Sequence, residues 1–170
     1  MTIICETPRL LLKQYTLDDV ALLHPITSDT ETMSFYPEFF SLEKVTVWIE
    51  RSLQCYEEFG FGRYGVLLKD TRAFIGCAGF FRTSVNNVME NDLGYIIAKK
   101  HWGKGYATEV AQACIDMVRE NAWFHRIVIQ MADEHTASRR VAERLGAKLG
   151  TTFINHRNRE KLTNLFVMEI

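Results

Sequence analysis

The feature that most constrains the fold is a glycine loop, in which Gly103 and Gly105 are separated by a single residue. The apolar run Tyr95–Ala98 precedes the loop, and a run with apolar residues at helical spacing follows it from Ala107 to Val118. This order predicts a strand, a tight loop and a helix. Such a loop can direct several backbone N–H groups toward one point at the positive end of the helix dipole, which is a natural site for a phosphate or pyrophosphate.

The loop differs from two well-known phosphate-binding patterns. The chain contains no Gly-x-x-x-x-Gly-Lys-Ser/Thr segment, which excludes a P-loop. The pair Gly103 and Gly105 lacks the third glycine of the dinucleotide-binding fingerprint. Taken alone, the loop is therefore compatible with an anion site or with a tight turn that only needs the positive φ of glycine.

A second polar block follows the apolar run Ile127–Met131, which is typical of a buried strand. Ligands of α/β sheets bind where such strands end. Ser138 lies in the first turn of the helix that follows, so its hydroxyl and the ring of His135 can point at a ligand. In the simpler alternative, His135 or Thr136 caps the helix and Ser138 is only solvated.

Periodicity along the rest of the chain predicts an α/β domain with a mixed sheet. Strands are predicted at Leu10–Leu12, Tyr64–Leu68, Phe74–Phe80, Leu93–Ala98 and Ile127–Met131, with two more between Ala147 and Ile170. Helices are predicted after the caps Thr16 and Ser41, after the glycine loop, and over Ala137–Leu145 before Gly146. The segments Pro25–Phe40 and Ser84–Glu90 are predicted to be irregular. No linker or repeat divides the chain, so residues 1–170 are expected to form one domain.

Charge and hydropathy exclude several classes of protein. The formal net charge is −1, so we expect no nucleic-acid partner and no anionic membrane surface. The N-terminus lacks the basic and apolar regions of a secretory signal, and no apolar run approaches the roughly 20 residues that cross a bilayer. These features predict a cytoplasmic protein.

The cysteines give no sign of a metal or redox site. Cys5, Cys55, Cys77 and Cys114 are scattered, without a Cys-x-x-Cys pair or a histidine at zinc-ligand spacing. Each has mostly apolar neighbours, so we expect packed, reduced thiols and no bound metal.

Several short motifs together resemble the Gcn5-related N-acetyltransferase (GNAT) superfamily, and in detail its RimJ/RimL-type branch. The motifs are Glu6–Leu12, Gly76, Leu93–Tyr95, Trp102–Glu109, His125–Ile127, Ser138 and Glu143–Gly146. The resemblance extends from about residue 6 to the C-terminus. It implies a single-domain α/β (α+β) fold with a mixed, mostly antiparallel central sheet, splayed at the acetyl-CoA site and flanked by helices.

The resemblance implies an acetyl-CoA-dependent N-acetyltransferase that transfers the acetyl group directly to a primary amine. The acceptor would be the α-amine of a protein N-terminus or an amine of a small molecule. Residues implied to bind acetyl-CoA are Trp102, Gly103, Lys104, Gly105, Tyr106, Ala107 and Thr108 at the pyrophosphate, the strand backbone at Ile96, Ile97 and Ala98, and the side chains of His135 and Ser138. The pantetheine arm would pair with the edge of this strand, and a backbone N–H there would donate a hydrogen bond to the oxyanion of the tetrahedral intermediate. Similar enzymes are often homodimers, so a homodimer is compatible with the resemblance.

Two carboxylates are candidates for the base that deprotonates the acceptor ammonium. Asp92 lies two residues before Gly94, where related enzymes often have a glutamate that faces the acceptor. Glu90 is the second candidate and is predicted to lie in a loop, where it is less well fixed; Asp92 is also explained as a strand-edge charge that faces solvent. Ser138 or water would protonate the leaving thiolate.

Two departures from the family pattern favour an alternative function. His135 stands where the family usually has asparagine, and Ala142 stands where many relatives have a tyrosine that acts as the acid. The alternative is a catalytically silent acyl-CoA-binding module that uses the same loop.

Two further segments have simpler explanations. The aromatic residues of Phe35–Phe40 are predicted to pack in the core, with a roof over the acceptor channel as the alternative, and His156–Lys161 is predicted to form a solvated turn.

Overall fold

A sheet of eight strands organises the chain, in the spatial order β1-β2-β3-β4-β5-β6-β8-β7. The computed structural model describes residues 1–170. The strands are β1 (Ile3–Glu6), β2 (Leu10–Lys13), β3 (Arg63–Leu68), β4 (Phe74–Val85), β5 (Val88–Ile97), β6 (Arg126–Ala132), β7 (Lys148–Asn155) and β8 (Lys161–Glu169). The helices are α1 (Val20–Thr27), α2 (Leu42–Phe59), α3 (Tyr106–Asn121) and α4 (Thr136–Arg144).

The sheet is open at one internal boundary. Every pair of neighbouring strands is antiparallel except β5 and β6, which are parallel and pair only where Asp92 faces Val128. Beyond Asp92 the two strands separate, while β6 stays paired with β8 from Arg126 to Ala132. The predicted mixed, mostly antiparallel and splayed sheet is confirmed.

Local signals place the helix ends where the sequence predicts them. The hydroxyl of Ser41 accepts a hydrogen bond from the Lys44 N–H at the start of α2, and Gly60 ends that helix with φ of 77°. Gly105 precedes α3 and Gly146 follows α4, with φ of 80° and 85°. These left-handed conformations favour glycine.

The prediction of an irregular Pro25–Phe40 segment is wrong at its beginning, and a first strand was missed. After a 3-10 turn at Leu17–Asp19, α1 continues through Pro25 to Thr27. Proline removes one backbone donor but does not stop this short helix. The missed strand β1 is only four residues long and pairs with β2.

The prediction of a polar loop at Ser84–Glu90 is also wrong. β4 and β5 form one continuous hairpin, and only Asn86 and Asn87 lie in the turn, with φ of 46° and 66°. Asparagine tolerates the positive φ that a two-residue hairpin turn requires. Side chains beyond the buried part of the sheet face solvent, so their polarity does not distinguish a strand from a loop.

Helices cover both faces of the sheet, and β5 contributes to both cores. Leu93 and Ile97 pack with α3 and α4, whereas Ile96 packs with α1 and α2. All the cysteines are free thiols, and Cys55, Cys77 and Cys114 are buried, as the apolar context predicts. No helix combines the length and apolar character needed to span a lipid bilayer.

Candidate functional site

The unpaired edge of β5 borders the gap between β5 and β6. The Ile96 carbonyl faces β4 and packs so closely on Gly76 that a Cβ at Gly76 would collide with its oxygen. Because successive carbonyls of a strand point to opposite edges, those of Tyr95 and Ile97 face the gap. Tyr36 Oη donates to the Tyr95 carbonyl at 3.2 Å. An extended ligand in the gap therefore meets the backbone of residues 95 and 97.

The glycine loop offers a row of free backbone donors at the end of the gap. None of the N–H groups from Gly103 to Thr108 donates a hydrogen bond within the protein. Gly103 and Gly105 have φ of 74° and 80°, and a Cβ at Gly103 would meet no atom within 4 Å. These donors sit at the N-terminus of α3, whose dipole adds positive potential. The loop fits a ligand with several anionic oxygens, such as a pyrophosphate.

A cavity of about 370 Å³ lies at the other end of the gap. Its walls come from β4, β5 and β6, from the start of α4, from the segment before α2, and from the β7–β8 turn. Asp92, His135 and Ser138 line it, whereas the glycine loop does not. Two of the predicted catalytic residues, Asp92 and Ser138, thus lie at the cavity, while the predicted pyrophosphate residues lie outside it, in the loop that follows β5.

Asp92 is a mostly buried carboxylate in this cavity, with its side chain 13% exposed. Its Oδ2 accepts a hydrogen bond from Gln130 Nε2 at 3.3 Å and lies 3.6 Å from Arg63 Nη2, while Oδ1 has no partner. Burial raises the pKa of Asp92, and Arg63 and Gln130 oppose this shift. A carboxylate with a raised pKa is a better proton acceptor than an ordinary aspartate.

Gly94 makes room for this arrangement. A Cβ at Gly94 would collide with the guanidinium of Arg63, which reaches from β3 across β4 to Asp92. The guanidinium also lies over the rings of Trp48 and Phe81. Arg63 is therefore held rigidly beside the carboxylate.

The second candidate base has a different environment. Glu90 does not line the cavity, and both of its carboxylate oxygens accept hydrogen bonds from Arg126 Nε at 3.1 and 3.2 Å. Arg126 also reaches Glu169 on β8. Glu90 thus ties β5 to β6 and β8 below the point where the strands separate.

Ser138 is held by Tyr95, which belongs to the motif Leu93–Tyr95 but was not predicted as a site residue. Its Oγ lies 2.9 Å from Tyr95 Oη, across the gap between α4 and β5. Burial raises the pKa of Tyr95 to about 12. The residue one turn after Ser138 is Ala142, which is fully buried in the core. Since it is an alanine, α4 has no phenol at this position.

His135 occupies the N-cap position of α4, but its side chain makes no capping hydrogen bond. The ring instead stacks on Phe35, with centroids 3.9 Å apart and planes 8° apart. Burial lowers the pKa of His135 to about 4. The imidazole is therefore neutral near pH 7 and faces the cavity as an uncharged ring.

We expect His135 to make stability fall in mild acid. In the unfolded chain His135 binds a proton as pH falls through 6.5, whereas in the folded chain it stays neutral until about pH 4. The free energy of unfolding therefore decreases as pH falls from 6.5 to about 4. His135→Asn should reduce the loss at pH 5 by roughly 1 kcal/mol, allowing for partial exposure. Urea unfolding at pH 7 and pH 5 measures it, with the exposed His125→Asn as control. An equal loss in the wild-type and His135→Asn chains would contradict the assignment.

The aromatic residues of Phe35–Phe40 and Trp48 of α2 lie in three environments. Phe35, Tyr36 and Trp48 line the cavity, Phe40 is buried in the core, and Phe39 is 52% exposed. Packing in the core is confirmed for Phe40, and a role of the other rings in an acceptor channel stays a prediction.

The predicted turn at His156–Lys161 is confirmed between β7 and β8, with His156, Arg157, Arg159 and Glu160 exposed, but one of its residues is not solvated. Asn158 is buried, and its Nδ2 donates to the Phe35 carbonyl at 3.1 Å. Arg159 donates to the Tyr36 carbonyl at 2.9 Å. These contacts pull the polar β7–β8 turn onto the aromatic segment, so the turn forms one wall of the cavity.

Known proteins resemble this chain in sequence and in fold. Residues 9–148 match the acetyltransferase (GNAT) domain family. The uncharacterized N-acetyltransferase YnaD of Bacillus subtilis (strain 168) is 27% identical over 143 residues, which are 84% of this chain and 81% of YnaD. A GNAT-family acetyltransferase from Bacillus anthracis has a TM-score of 0.80 at 24% identity, covering 99% of this chain and 98% of that one.

RimL, a ribosomal L7/L12 α-N-protein acetyltransferase solved in complex with coenzyme A, has a TM-score of 0.79 at 15% identity, covering 99% of this chain and 98% of RimL. At such identities the likeness concerns the fold. The domain match, in contrast, spans most of the chain and includes β5, the glycine loop and α4. This chain therefore belongs to the GNAT family and is an acetyltransferase, with RimL-type proteins among its structural relatives.

Proposed function

We propose that this chain transfers the acetyl group of acetyl-CoA directly to a primary amine. The observation that carries the proposal is the separation of β5 from β6, with free amide donors in the loop that follows β5 and a mostly buried carboxylate, Asp92, where the two strands part. Acetyl-CoA supplies the acetyl group as a thioester with a good leaving group. The chain has to bind it, exclude water and move two protons: one from the acceptor ammonium to a base, and the second from the attacking nitrogen, through a hydroxyl or water, to the leaving sulfur.

The residues proposed to hold acetyl-CoA follow the gap. Backbone N–H groups of the loop segment Trp102–Thr108 bind the pyrophosphate, with Gly103–Thr108 carrying the free donors. The pantetheine arm pairs with the gap-facing backbone of Tyr95 and Ile97, whose carbonyls also accept from Tyr36 Oη and Trp102 Nε1. The predicted contribution of Ile96 and Ala98 is not retained, because the Ile96 carbonyl faces β4 and the Ala98 N–H donates to the Ile75 carbonyl. His135 and Ser138 flank the thioester end.

Proton movement is assigned to the cavity. An acceptor amine arrives mostly as ammonium at neutral pH, and Asp92 takes its proton directly or through one water. We propose Asp92 rather than Glu90 because only Asp92 faces the cavity, while Glu90 is occupied by Arg126. Ser138, oriented by Tyr95, is the hydroxyl available to protonate the leaving sulfur.

Two kinds of acceptor are compatible with this chemistry. The RimL relative acetylates an α-amine of a ribosomal protein, which makes a protein N-terminus the first acceptor to test, and a small-molecule amine is the second. A shared fold does not decide between them. The cavity combines aromatic walls with polar residues of the β4–β5 and β7–β8 turns, so it accommodates a short chain with hydrogen-bonding groups.

An acceptor panel tests the proposal. The purified chain is incubated with acetyl-CoA and either peptides with free N-termini, the same peptides with blocked N-termini, or small primary amines, and products are identified by mass spectrometry. We expect acetylated product from at least one free amine and none from the blocked peptides. CoA binding with no product from any amine would favour the silent acyl-CoA-binding module, for which the missing acid at Ala142 is the supporting observation.

A further inference from the structure

The β1–β2 turn is bound to the glycine loop by a cluster of short hydrogen bonds. Glu109, in the first turn of α3, accepts from Thr7 Oγ1 at 2.6 Å, from the Arg9 N–H at 2.9 Å and from Arg9 Nε at 2.6 Å. Burial would raise the pKa of Glu109, but the hydrogen bonds from Thr7 and Arg9 outweigh it and the pKa is lowered. Glu109 is thus a carboxylate that anchors Arg9 at the start of α3.

From this anchor, Arg9 reaches into the loop itself. Its Nη1 donates to the Lys104 carbonyl at 2.9 Å, and its guanidinium lies over the Tyr106 ring, 4.7 Å from the centroid. In a trans peptide, the C=O of one residue and the N–H of the next point in opposite directions. Because Arg9 holds the Lys104 oxygen, the N–H of Gly105 is directed away from Arg9.

The peptide between Lys104 and Gly105 is able to turn over. Such a rotation changes ψ of Lys104 and φ of Gly105, and Gly105 can adopt φ of either sign at little cost. A turned-over peptide would present a carbonyl oxygen instead of an N–H to the bound anion. A carbonyl oxygen repels a phosphate, so the orientation of this peptide decides whether the loop attracts or rejects a pyrophosphate.

We infer that Arg9 is a positioning residue for pyrophosphate binding, which locks the Lys104–Gly105 peptide through its bonds to Glu109 and to the Lys104 carbonyl. The inference rests on the proposed function, because it assumes that the loop binds the pyrophosphate of CoA. The planar guanidinium is suited to this role, since it bonds a carboxylate and a carbonyl at once in fixed directions.

Three variants and two ligands test the inference. Arg9→Ala removes the lock, Arg9→Lys keeps the charge but not the fork, and Lys69→Ala removes an exposed ion pair with Glu6 near the same turn as a matched control. Affinity is measured by calorimetry for CoA and by competition for pantetheine, which has no phosphate. Melting temperature and circular dichroism report the fold.

We expect Arg9→Ala and Arg9→Lys each to raise the Kd for CoA about 10-fold or more, the effect of one misdirected hydrogen bond to a charged group. Pantetheine affinity should stay unchanged, and the KM for acetyl-CoA should rise without a change in kcat. Lys69→Ala should behave as wild type.

Three results would overturn the inference. The first is unchanged CoA affinity in folded Arg9→Ala. The second is wild-type CoA affinity in Arg9→Lys, which would show that only the positive charge matters, and the third is a loss of pantetheine affinity equal to the loss of CoA affinity. If Arg9→Ala does not fold, Arg9→Lys decides. A wild-type chain that fails to bind CoA would instead refute the proposed function.

Discussion

Replacement of Gly105 by valine is expected to abolish CoA binding while the rest of the chain stays folded. Gly105 has φ of 80°, a conformation that costs a β-branched residue about 1–3 kcal/mol. The loop escapes this strain by changing its backbone, and the free N–H groups from Gly103 to Thr108 then no longer converge. We expect the Kd for CoA to rise at least about 100-fold, or about 2.7 kcal/mol.

Gly146→Val is the matched control for this substitution. Gly146 has φ of 85°, so valine encounters similar backbone strain at the far end of α4; a Cβ there would meet no atom within 4 Å, whereas a Cβ at Gly105 would lie 3.4 Å from Arg9 Nη2. Both variants should lose similar thermal stability, but only Gly105→Val should lose CoA, as measured by calorimetry. Wild-type affinity in Gly105→Val would exclude this loop as the pyrophosphate site.

Asp92→Asn is expected to lower kcat by about 100-fold or more, because a positioned general base contributes roughly that much. Asparagine has the same size and can keep the contacts to Gln130 and Arg63, so CoA affinity should change by no more than about twofold. Steady-state kinetics and calorimetry on the same preparations separate the two effects.

The pH dependence of activity distinguishes Asp92 from Glu90 as the base. Asp92 acts as base only when ionised, so wild-type activity should rise with pH through a pKa above the ordinary range of aspartate, since burial raises it. Asp92→Asn should lack this rising limb. Glu90→Gln, which alters the ion pair with Arg126, should keep the limb and most of the turnover. The opposite result, with Glu90→Gln inactive and Asp92→Asn active, would assign the base to Glu90.

The parts of this site that could be predicted from sequence are local ones. A glycine at a loop, a serine before a helix and an apolar strand are each recognised within a few residues, so the loop Gly103–Thr108, the caps at Ser41 and Gly146, and Ser138 in the first turn of α4 were found. Their order along the chain was enough to indicate the family.

The parts of the site that could not be predicted from the sequence depend on contacts between residues far apart in the chain. Arg9 meets Glu109 across 100 residues, and Arg63 meets Asp92 across 29. No periodicity encodes such pairs, and an isolated arginine in a strand or turn is usually a solvated charge. Gly94 carried the one available hint, since a glycine within a strand often marks a close approach by another group.

The choice between two carboxylates illustrates the same limit. Asp92 and Glu90 share one face of β5, so strand alternation does not distinguish them, and only the resemblance to the family favours Asp92 in the sequence. Only the pairing of β5 with β6 separates them, because the strands diverge just beyond Asp92 and leave Glu90 beside Arg126.

The most direct test of direct acetyl transfer by this chain is the stoichiometry of a single reaction. The purified chain is mixed with acetyl-CoA, with and without the best amine of the panel, and free thiol, acetylated amine and the mass of the chain are measured together. We predict thiol release only when the amine is present, equal amounts of thiol and acetylated amine, and an unmodified chain. Thiol release without amine and with an acetylated chain, or CoA binding with no thiol release for any amine, would contradict the proposed function.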